Sequence, residues 1–519
     1  MSKEKELDSE IQKFLENFGG FVNDIQYDGW PIWWFFKQRF LGDRLLPPLP
    51  SYEEIINSIL NREEVGFKQK FKNKVTVFSL GKFLEYNEKT KIFISRFNKG
   101  KSSKKTDKKR IMFMTHTNAI LPDKDYGYTV DRIGSVVKEV RKDPELEEYI
   151  SVISPLSHKN WLKLLDYPNL VYSYIDKEIK KKAKRGSILL HKKWKEISKE
   201  INYNLIGEHF KTALNVFFSR ESIYLIILYY ETYKKIIKQE KINFLCFYAA
   251  GGILSKCAIA AAHNSGVKSL TISHGLGAPS RNPDQPPSFY HAVIGDKYKE
   301  KYIELGVNPE NIFVTGPVFM DEIVRYIKDK NLQNKKKKIL FATQPLVEDN
   351  YLSKEEYFNY IKEYLSDLKK LQNVDIKIKL HPREKYLEFY QNLLKSLNFE
   401  RITIVKGQEK KLLYNLIKES DLVIGFSSTV LVEAMIIGTP IISIDLLIGG
   451  NDPIIQNRDK IIHLNPKKSI YPISKKILYD KKEQKSIIKK QRELLKEYLY
   501  KVDGKGGKRV VNLIKKLGR

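Results

Sequence analysis

Two short stretches of the chain carry residue types suited to holding or protonating phosphate. In Lys379-Leu380-His381-Pro382-Arg383, an imidazole follows the alternating run Asp375-Ile376-Lys377-Ile378-Lys379-Leu380, which reads as a strand. A histidine at a strand's carboxyl end, fixed by the next proline and flanked by Arg383, can donate to a phosphate oxygen or act as an acid near neutral pH. In the second stretch Leu422-Val423-Ile424 enters Gly425-Phe426-Ser427-Ser428-Thr429, and a helix is expected over 430–437. A helix start offers unpaired N–H groups and partial positive charge, so Ser427, Ser428 and Thr429 would form a phosphate cradle with hydroxyl donors. The same residues also make an ordinary N-cap. Two anion-holding features in one α/β region point to a phosphorylated ligand.

The elements that must position these residues alternate. Ile242–Phe247 reads as a strand, 255–265 as a helix and 267–272 as a strand ending at Ser273-His274-Gly275, a βαβ unit with glycine-containing loops. Strands at 290–295, 312–317, 339–342, 375–380, 402–405, 422–424 and 441–445 continue the scheme. Ile111-Met112-Phe113-Met114 is a buried strand running into Thr115-His116-Thr117-Asn118, and such strand ends are where α/β sites gather. These patterns predict an N-terminal, mainly helical region over 1–105 and a Rossmann-like domain over 106–328 with a helical insertion at about 176–241. A second Rossmann-like domain with a closing helix covers 329–519. The Lys- and Ser-rich break at 98–110 reads as a linker.

A length of 519 residues excludes a single small module, and 42% hydrophobic with 30% charged residues excludes wholesale disorder. The net charge of +30 favours an anionic partner: nucleic acid, a phosphorylated substrate or an acidic membrane surface. Lysines spread along the chain without an RNA- or DNA-binding motif set nucleic acid last. Cys246 and Cys257 stand in apolar or small-residue surroundings and read as buried thiols. No signal peptide and no run near 20 apolar residues is visible, so a cytoplasmic protein is expected, soluble or peripheral at the inner membrane face. The block Trp30-Pro31-Ile32-Trp33-Trp34-Phe35-Phe36, with three of the five tryptophans, reads as a core face or as a membrane-interface dock. The basic run Lys177 to Arg185 reads as a solvated helix face, with lipid or nucleic acid as the other option. The triplet Asp123-Lys124-Asp125 lies in a polar loop and the histidines are dispersed, so no metal site and no cofactor are expected.

The region from Lys379 to Arg383 with Ser420 to Val430, Glu433-Ala434 and Gly438-Thr439-Pro440 resembles the nucleotide-binding half of GT-B glycosyltransferases. The branch is that of bacterial sialyl- and polysialyltransferases, capsule polysaccharide transferases and CDP-glycerol glycerophosphotransferases. Thr271-Ile272-Ser273-His274-Gly275, Ile294 to Tyr298 and Val314-Thr315-Gly316-Pro317 are similar to the partner half, so the resemblance covers roughly 240–445. It implies two Rossmann-like domains facing a cleft, with the donor phosphate on His381, Arg383, Ser427, Ser428 and Thr429 and a ribose hydroxyl on Glu433. His274 is the first candidate for the base that takes an acceptor proton. Asp131, with Tyr126 and Arg132, is the second, and His116 the third.

The implied reaction is metal-independent transfer of a sugar from a CMP- or UDP-activated donor to a cell-surface glycan or lipid-linked acceptor. Positive charge would hold the enzyme near anionic lipid. Polyol-phosphate transfer of the CDP-glycerol type and UDP-sugar 2-epimerisation are the alternatives. The epimerases usually have Ser-Gly-Gly where this chain has Ser427-Ser428-Thr429, which ranks that reading behind transfer.

Overall fold

The computed structural model describes residues 18–40, 86–97, 107–153, 169–201, 207–279, 282–327, 336–349, 351–398, 400–407, 409–446 and 453–518. Residues 45–50, most of the 98–110 break and the expected boundaries near 105 and 328 lie outside them. The chain divides into two compact units: 1–272 with 283–291 and 511–519, and 273–282 with 292–510.

The fold is α/β with two Rossmann-like parallel-sheet domains, the class expected from the alternating pattern. The strands of the two large sheets are β1 (Lys109–His116), β2 (Leu146–Ile153), β3 (Ile242–Phe247), β4 (Lys268–Ile272), β5 (Phe289–Val293), β6 (Ile312–Val314), β7 (Lys337–Ala342), β8 (Val374–Lys379), β9 (Ile402–Val405), β10 (Leu422–Gly425), β11 (Ile441–Ile444) and β12 (Ile462–Leu464). The first sheet has the order β6-β5-β4-β3-β1-β2 and the second β9-β8-β7-β10-β11-β12. Near-continuous apolar strands such as Leu422-Val423-Ile424 follow from burial on both sheet faces, and the connecting helices supply that cover. In each sheet the order reverses direction once, between β1 and β3 and between β7 and β10, and a parallel sheet opens a crevice at the carboxyl ends of such a pair.

The second unit's sheet is packed on both faces. Ile442, Ile444, Ile376 and Ile378 join one cluster with Tyr357, Tyr364 and Phe426, while Ile441, Val423 and Leu340 join another with Leu431, Ala434 and Met435. Gly425 ends β10 because a Cβ there would stand 3.3 Å from the Ala342 carbonyl oxygen and 3.4 Å from Leu431 Cδ2. The following helix, Thr429–Ile437, is closed by Gly438 in the left-handed region (φ 97°), which glycine adopts without a Cβ penalty.

In the first unit the tryptophan block is core. Ile32, Trp33, Phe35 and Phe36 are buried, Phe36 stacks on Phe217 at 4.7 Å, and Phe18 meets Trp33 edge-on at 4.9 Å. Long-range polar contacts fix the block: Trp34 Nε1 donates to the Asp284 carbonyl (2.8 Å) and Trp30 Nε1 to Asn264 Oδ1 (3.0 Å). The buried Lys256 ammonium lies 4.0 Å from the Trp34 ring centroid and donates to the carbonyls of Pro283 and Asp284. The expected helical interval holds the helices Lys177–Ile197, Gly207–Phe217 and Arg220–Gln239. Both cysteines are buried and free, and burial pushes both thiols up. Among the described residues no helix is long and apolar enough to cross a membrane.

Burial of His291 on β5 holds its imidazole down at about 4, well below the usual 6.5. Between those values the unfolded chain binds the extra proton and the folded one does not, so stability falls as pH drops from 6.5 toward 4 and is flat above. The full contribution is about 3 kcal/mol. Urea midpoints between pH 7 and 4.5 should therefore decline more steeply for the wild type than for His291→Gln, and parallel declines would clear this histidine.

Candidate functional site

At the switch point of the second sheet, β7 leads into Thr343-Gln344, β8 into His381 and β10 into Ser427. Ala342 and Gly425 are register partners, and the Gln344 amide Nε2 donates to the Ser427 carbonyl (3.4 Å), tying the β7 loop to the helix start. The loop between them carries an open valence: Gln344 Oε1 is buried without a hydrogen-bond partner among the described residues.

His381 sits in a turn closed by the Glu384 N–H to the His381 carbonyl (3.0 Å), with Pro382 setting the first corner. Its own N–H donates to Thr343 Oγ1 (3.1 Å), and its Nδ1 accepts from the Arg383 N–H (3.2 Å). An accepting Nδ1 leaves the ring proton on Nε2, so the imidazole offers a donor. Burial, then the Arg383 and Lys379 charges, holds His381 below the ordinary histidine value, which keeps it neutral at pH 7. Arg383 is engaged in a bidentate pair with Asp349 (2.6 and 2.7 Å), so a phosphate must share or displace that carboxylate to reach it.

Ser427 carries a positive φ of 22°, an uncommon backbone for an L residue that typically costs of order 1 kcal/mol. Ser428 is the N-cap of Thr429–Ile437, its Oγ accepting from Val430 N–H at 3.4 Å, while the Thr429 side chain is exposed. Glu433 lies one turn further along that helix, half-buried, with Tyr414 OH donating to it at 3.4 Å. His381, Arg383, Ser427, Ser428 and Thr429 are thus gathered at one sheet edge, with Glu433 behind them.

Two groups escaped sequence reasoning. Glu384 is buried and accepts from the hydroxyls of Thr343, Tyr390 and Tyr357 (3.2 Å for the last), and burial raises its carboxyl above the usual range. Through Thr343 it fixes the atom that holds the His381 backbone. Asp445, just past β11, accepts from His463 Nδ1 on β12 (2.7 Å) and pairs with Arg458 (2.8 Å). His463 Nε2 and Ser443 Oγ are buried without partners among the described residues. Since Gly425, Ser443 and His463 stand level across β10, β11 and β12, Asp445 lies at the same carboxyl edge as Ser427.

The other candidates lie at the first sheet's carboxyl edge. Tyr248, after β3, has its hydroxyl against the Thr115 side chain and the His116 backbone, with Asp131 and Arg132 close enough to act on its charge. Tyr248 is raised above an ordinary tyrosine, by burial first. His116 is held low by burial and by Lys91. Asp131 Oδ1 accepts from Arg132 N–H (2.8 Å), and Arg132 takes φ 68°. Asp131, His116 and Tyr248 therefore come together at the β1/β3 switch point, whereas His274 is exposed on the loop after β4. The Asp123-Lys124-Asp125 triplet is a hairpin turn in which Asp123 accepts from the N–H groups of Asp125 and Tyr126 (3.1 Å each) and pairs with Lys138 (2.9 Å). Among the described residues no three His, Cys, Asp or Glu side chains gather as a metal-holding group.

Comparison with known proteins bears on the second half. The model of the UDP-N-acetylglucosamine 2-epimerase family matches residues 285–515, under half of the chain. No curated protein matches. Among solved structures, the UDP co-structure of Staphylococcus aureus MnaA is similar at 16% identity and TM-score 0.47, covering 79% of this chain and 96% of that one. UDP-GlcNAc 2-epimerase from Neisseria meningitidis bound to UDP-GlcNAc is similar at 14% and 0.45, covering 79% and 100%. The lipopolysaccharide outer core galactosyltransferase WaaB is similar at 14% and 0.40, covering 78% and 99%. The family match reverses the order drawn from the missing glycines: it favours the epimerase alternative over sugar transfer, and it does not single out the capsule and sialyltransferase group.

Proposed function

We propose that the carboxyl edge of the second sheet binds a uridine diphosphate sugar and that the chain acts on it in the manner of a UDP-sugar 2-epimerase. The observation that carries this reading is that the loop after β7 holds both features, Thr343 accepting from the His381 N–H and Gln344 donating to the Ser427 carbonyl at the helix start, inside the segment that matches the epimerase family. His381 Nε2–H and the helix start hold the diphosphate, Arg383 contributes once it leaves Asp349, and Glu433 accepts from a ribose hydroxyl. Inverting carbon 2 of a sugar takes its proton to a base while the C–H electron pair expels the diphosphate from carbon 1, and the diphosphate re-adds as a proton is delivered to the opposite face, so a base is required. The candidates for that base are His274, then Asp131 and His116, in the order that the sequence resemblance ranks them. No metal enters this scheme.

One observation favours a second reading, glycosyl transfer. Ser428 and Thr429 fill two positions where the epimerases usually have glycine, so the backbone approach to the diphosphate is narrower and carries side-chain hydroxyls.

UDP at about 100 times its Kd should stabilise the protein by about 2.7 kcal/mol, a rise of several degrees in Tm. Incubation with UDP-GlcNAc in deuterated water should place deuterium at carbon 2 by NMR, with or without EDTA. UDP release only upon addition of a glycan acceptor, without exchange, would replace epimerisation by transfer. Absence of any shift with UDP or its sugars would remove both.

A further inference from the structure

Nothing in the proposed catalysis uses the helical layer of the first unit, and that layer carries a basic groove with an aromatic rim. Residues 86–95 form a helix whose inner face is pinned. Glu88 and Lys91 make a buried pair (2.7 Å), Tyr229 donates its hydroxyl to Glu88, and the Lys91 ammonium lies over the Tyr172 ring at 5.5 Å. The outer face presents Lys89, Phe93 and Arg96, with Phe97 just past the helix end. Phe93 and Phe97 are 57% and 65% exposed, with ring centroids 5.4 Å apart, an arrangement that water disfavours.

Against this face stands the helix Lys177–Ile197, where Lys180, Lys184 and the exposed Ile188 repeat every four residues and so share one stripe. Two adjoining hollows of about 280 and 420 Å³ share Lys180, Tyr224 and Leu225 as walls. The first adds Phe93, Arg96, Ile92 and Leu228, and the second Lys184, Arg220, Ser187 and Glu221. Arg96 bears on Lys180 as a like charge, which together with burial lowers the lysine. Apart from Glu221, the carboxylates bearing on this stretch are Glu88, already committed to Lys91 and Tyr229, and Asp176, which acts on Lys180 but caps its own helix at the Ile179 N–H and pairs with Lys235. Like charges brought to one groove with little compensation create a site for an anion, and the aliphatic floor of Ile92, Leu225 and Leu228 gives that anion an apolar tail to lie beside.

We propose that this groove docks the protein on a membrane through phosphate-bearing lipid, with Arg96, Lys180, Lys184 and Arg220 on the headgroups and Phe93 and Phe97 in the acyl boundary. Charge complementarity and the exposed phenyl pair name the occupant. An aromatic rim over a basic groove also suits single-stranded RNA, but base stacking has no use for the aliphatic floor. The inference stands apart from the nucleotide site and is tested separately from it.

Vesicles of phosphatidylcholine with about 30% phosphatidylglycerol should bind the protein at about 0.15 M salt, and pure phosphatidylcholine vesicles should not. Near an anionic surface each cation is worth about five-fold in affinity. The variant Arg96→Gln/Lys180→Gln/Lys184→Gln/Arg220→Gln should therefore bind several hundred-fold more weakly. Phe93→Ser/Phe97→Ser should lose about ten-fold with an unchanged salt dependence, and Glu221→Gln should gain about five-fold, which no misfolded variant does. Each variant's melting temperature with and without UDP reports the nucleotide site independently, so a failed vesicle result leaves that site's test intact. Unchanged vesicle affinity in the four-fold variant overturns the proposal. So does release from vesicles by 10 mM inorganic phosphate, which would make the groove a free-phosphate site, or a four-fold variant that loses RNA binding alone.

Discussion

His381→Ala is expected to lower kcat/KM on a UDP-sugar by about 10²–10³ while leaving the melting temperature within about a degree of wild type. The loss follows from removing one preorganised donor to the oxygen where charge develops as the diphosphate departs, an effect typically worth 2.7–4 kcal/mol. The fold should survive because the half-buried ring makes one bond, from the Arg383 N–H, and the backbone N–H that Thr343 accepts is kept by alanine. Because burial and two cations hold the imidazole low, it is already neutral at pH 7, so its titration should add no inflection to the rate between pH 7 and 9. Steady-state kinetics on the purified variant checks both statements, and turnover equal to wild type would take His381 out of the site.

Glu384→Ala should be the most destabilising single change near the site, by about 3–5 kcal/mol in urea unfolding. It deletes a buried carboxyl and leaves the hydroxyls of Thr343, Tyr357 and Tyr390 with one acceptor fewer in an interior that water does not enter. Glu384→Gln keeps an acceptor oxygen and nearly the same volume, so it should recover more than half of that loss. The two variants also separate position from stability. If Thr343 holds the His381 turn through this carboxyl, the glutamine variant will show a raised KM for the UDP-sugar while its melting temperature falls less than that of Glu384→Ala. A KM equal to wild type would confine Glu384 to packing.

These two residues mark the boundary of what the sequence makes legible. Strands such as Leu422–Gly425 and Ile441–Ile444 are readable because both faces are covered, so the hydrophobic signal is continuous and needs no partner to be recognised. Leu146–Ile153 is not, because Glu147 and Glu148 interrupt its apolar run; they belong in this edge strand through Arg110 (3.0 Å), 37 positions away, and Arg141 (2.8 Å) on the preceding helix. His381 and Ser427–Thr429 announce themselves by strand-end context, since topology alone brings the ends of neighbouring parallel strands to one edge. Glu384 looks like part of a solvated Pro-Arg-Glu-Lys turn, and only tyrosines arriving from two separate helices bury it. Asp445 and His463 are 18 positions apart and each sits beside apolar residues, so the pair exists only once β11 and β12 are in register. Arg383 shows the converse: sequence assigns its charge to phosphate, and Asp349 from a distant loop already holds it.

The anchoring of the N-terminal tryptophans also orders events during synthesis. Trp34 bonds to residue 284 and stacks under Lys256, and Trp30 bonds to residue 264, so their partners leave the ribosome more than 220 residues later. At about 5–20 residues per second that interval lasts roughly 10–50 s, long compared with the microseconds in which a short helix forms. Phe217 and Phe218 arrive first and offer Phe36 partial cover, but the docked geometry waits for the loop at Pro283-Asp284. The first aromatic cluster to be made is therefore among the last to find its place, and a nascent chain halted before residue 217 displays it to whatever chaperone or membrane is near.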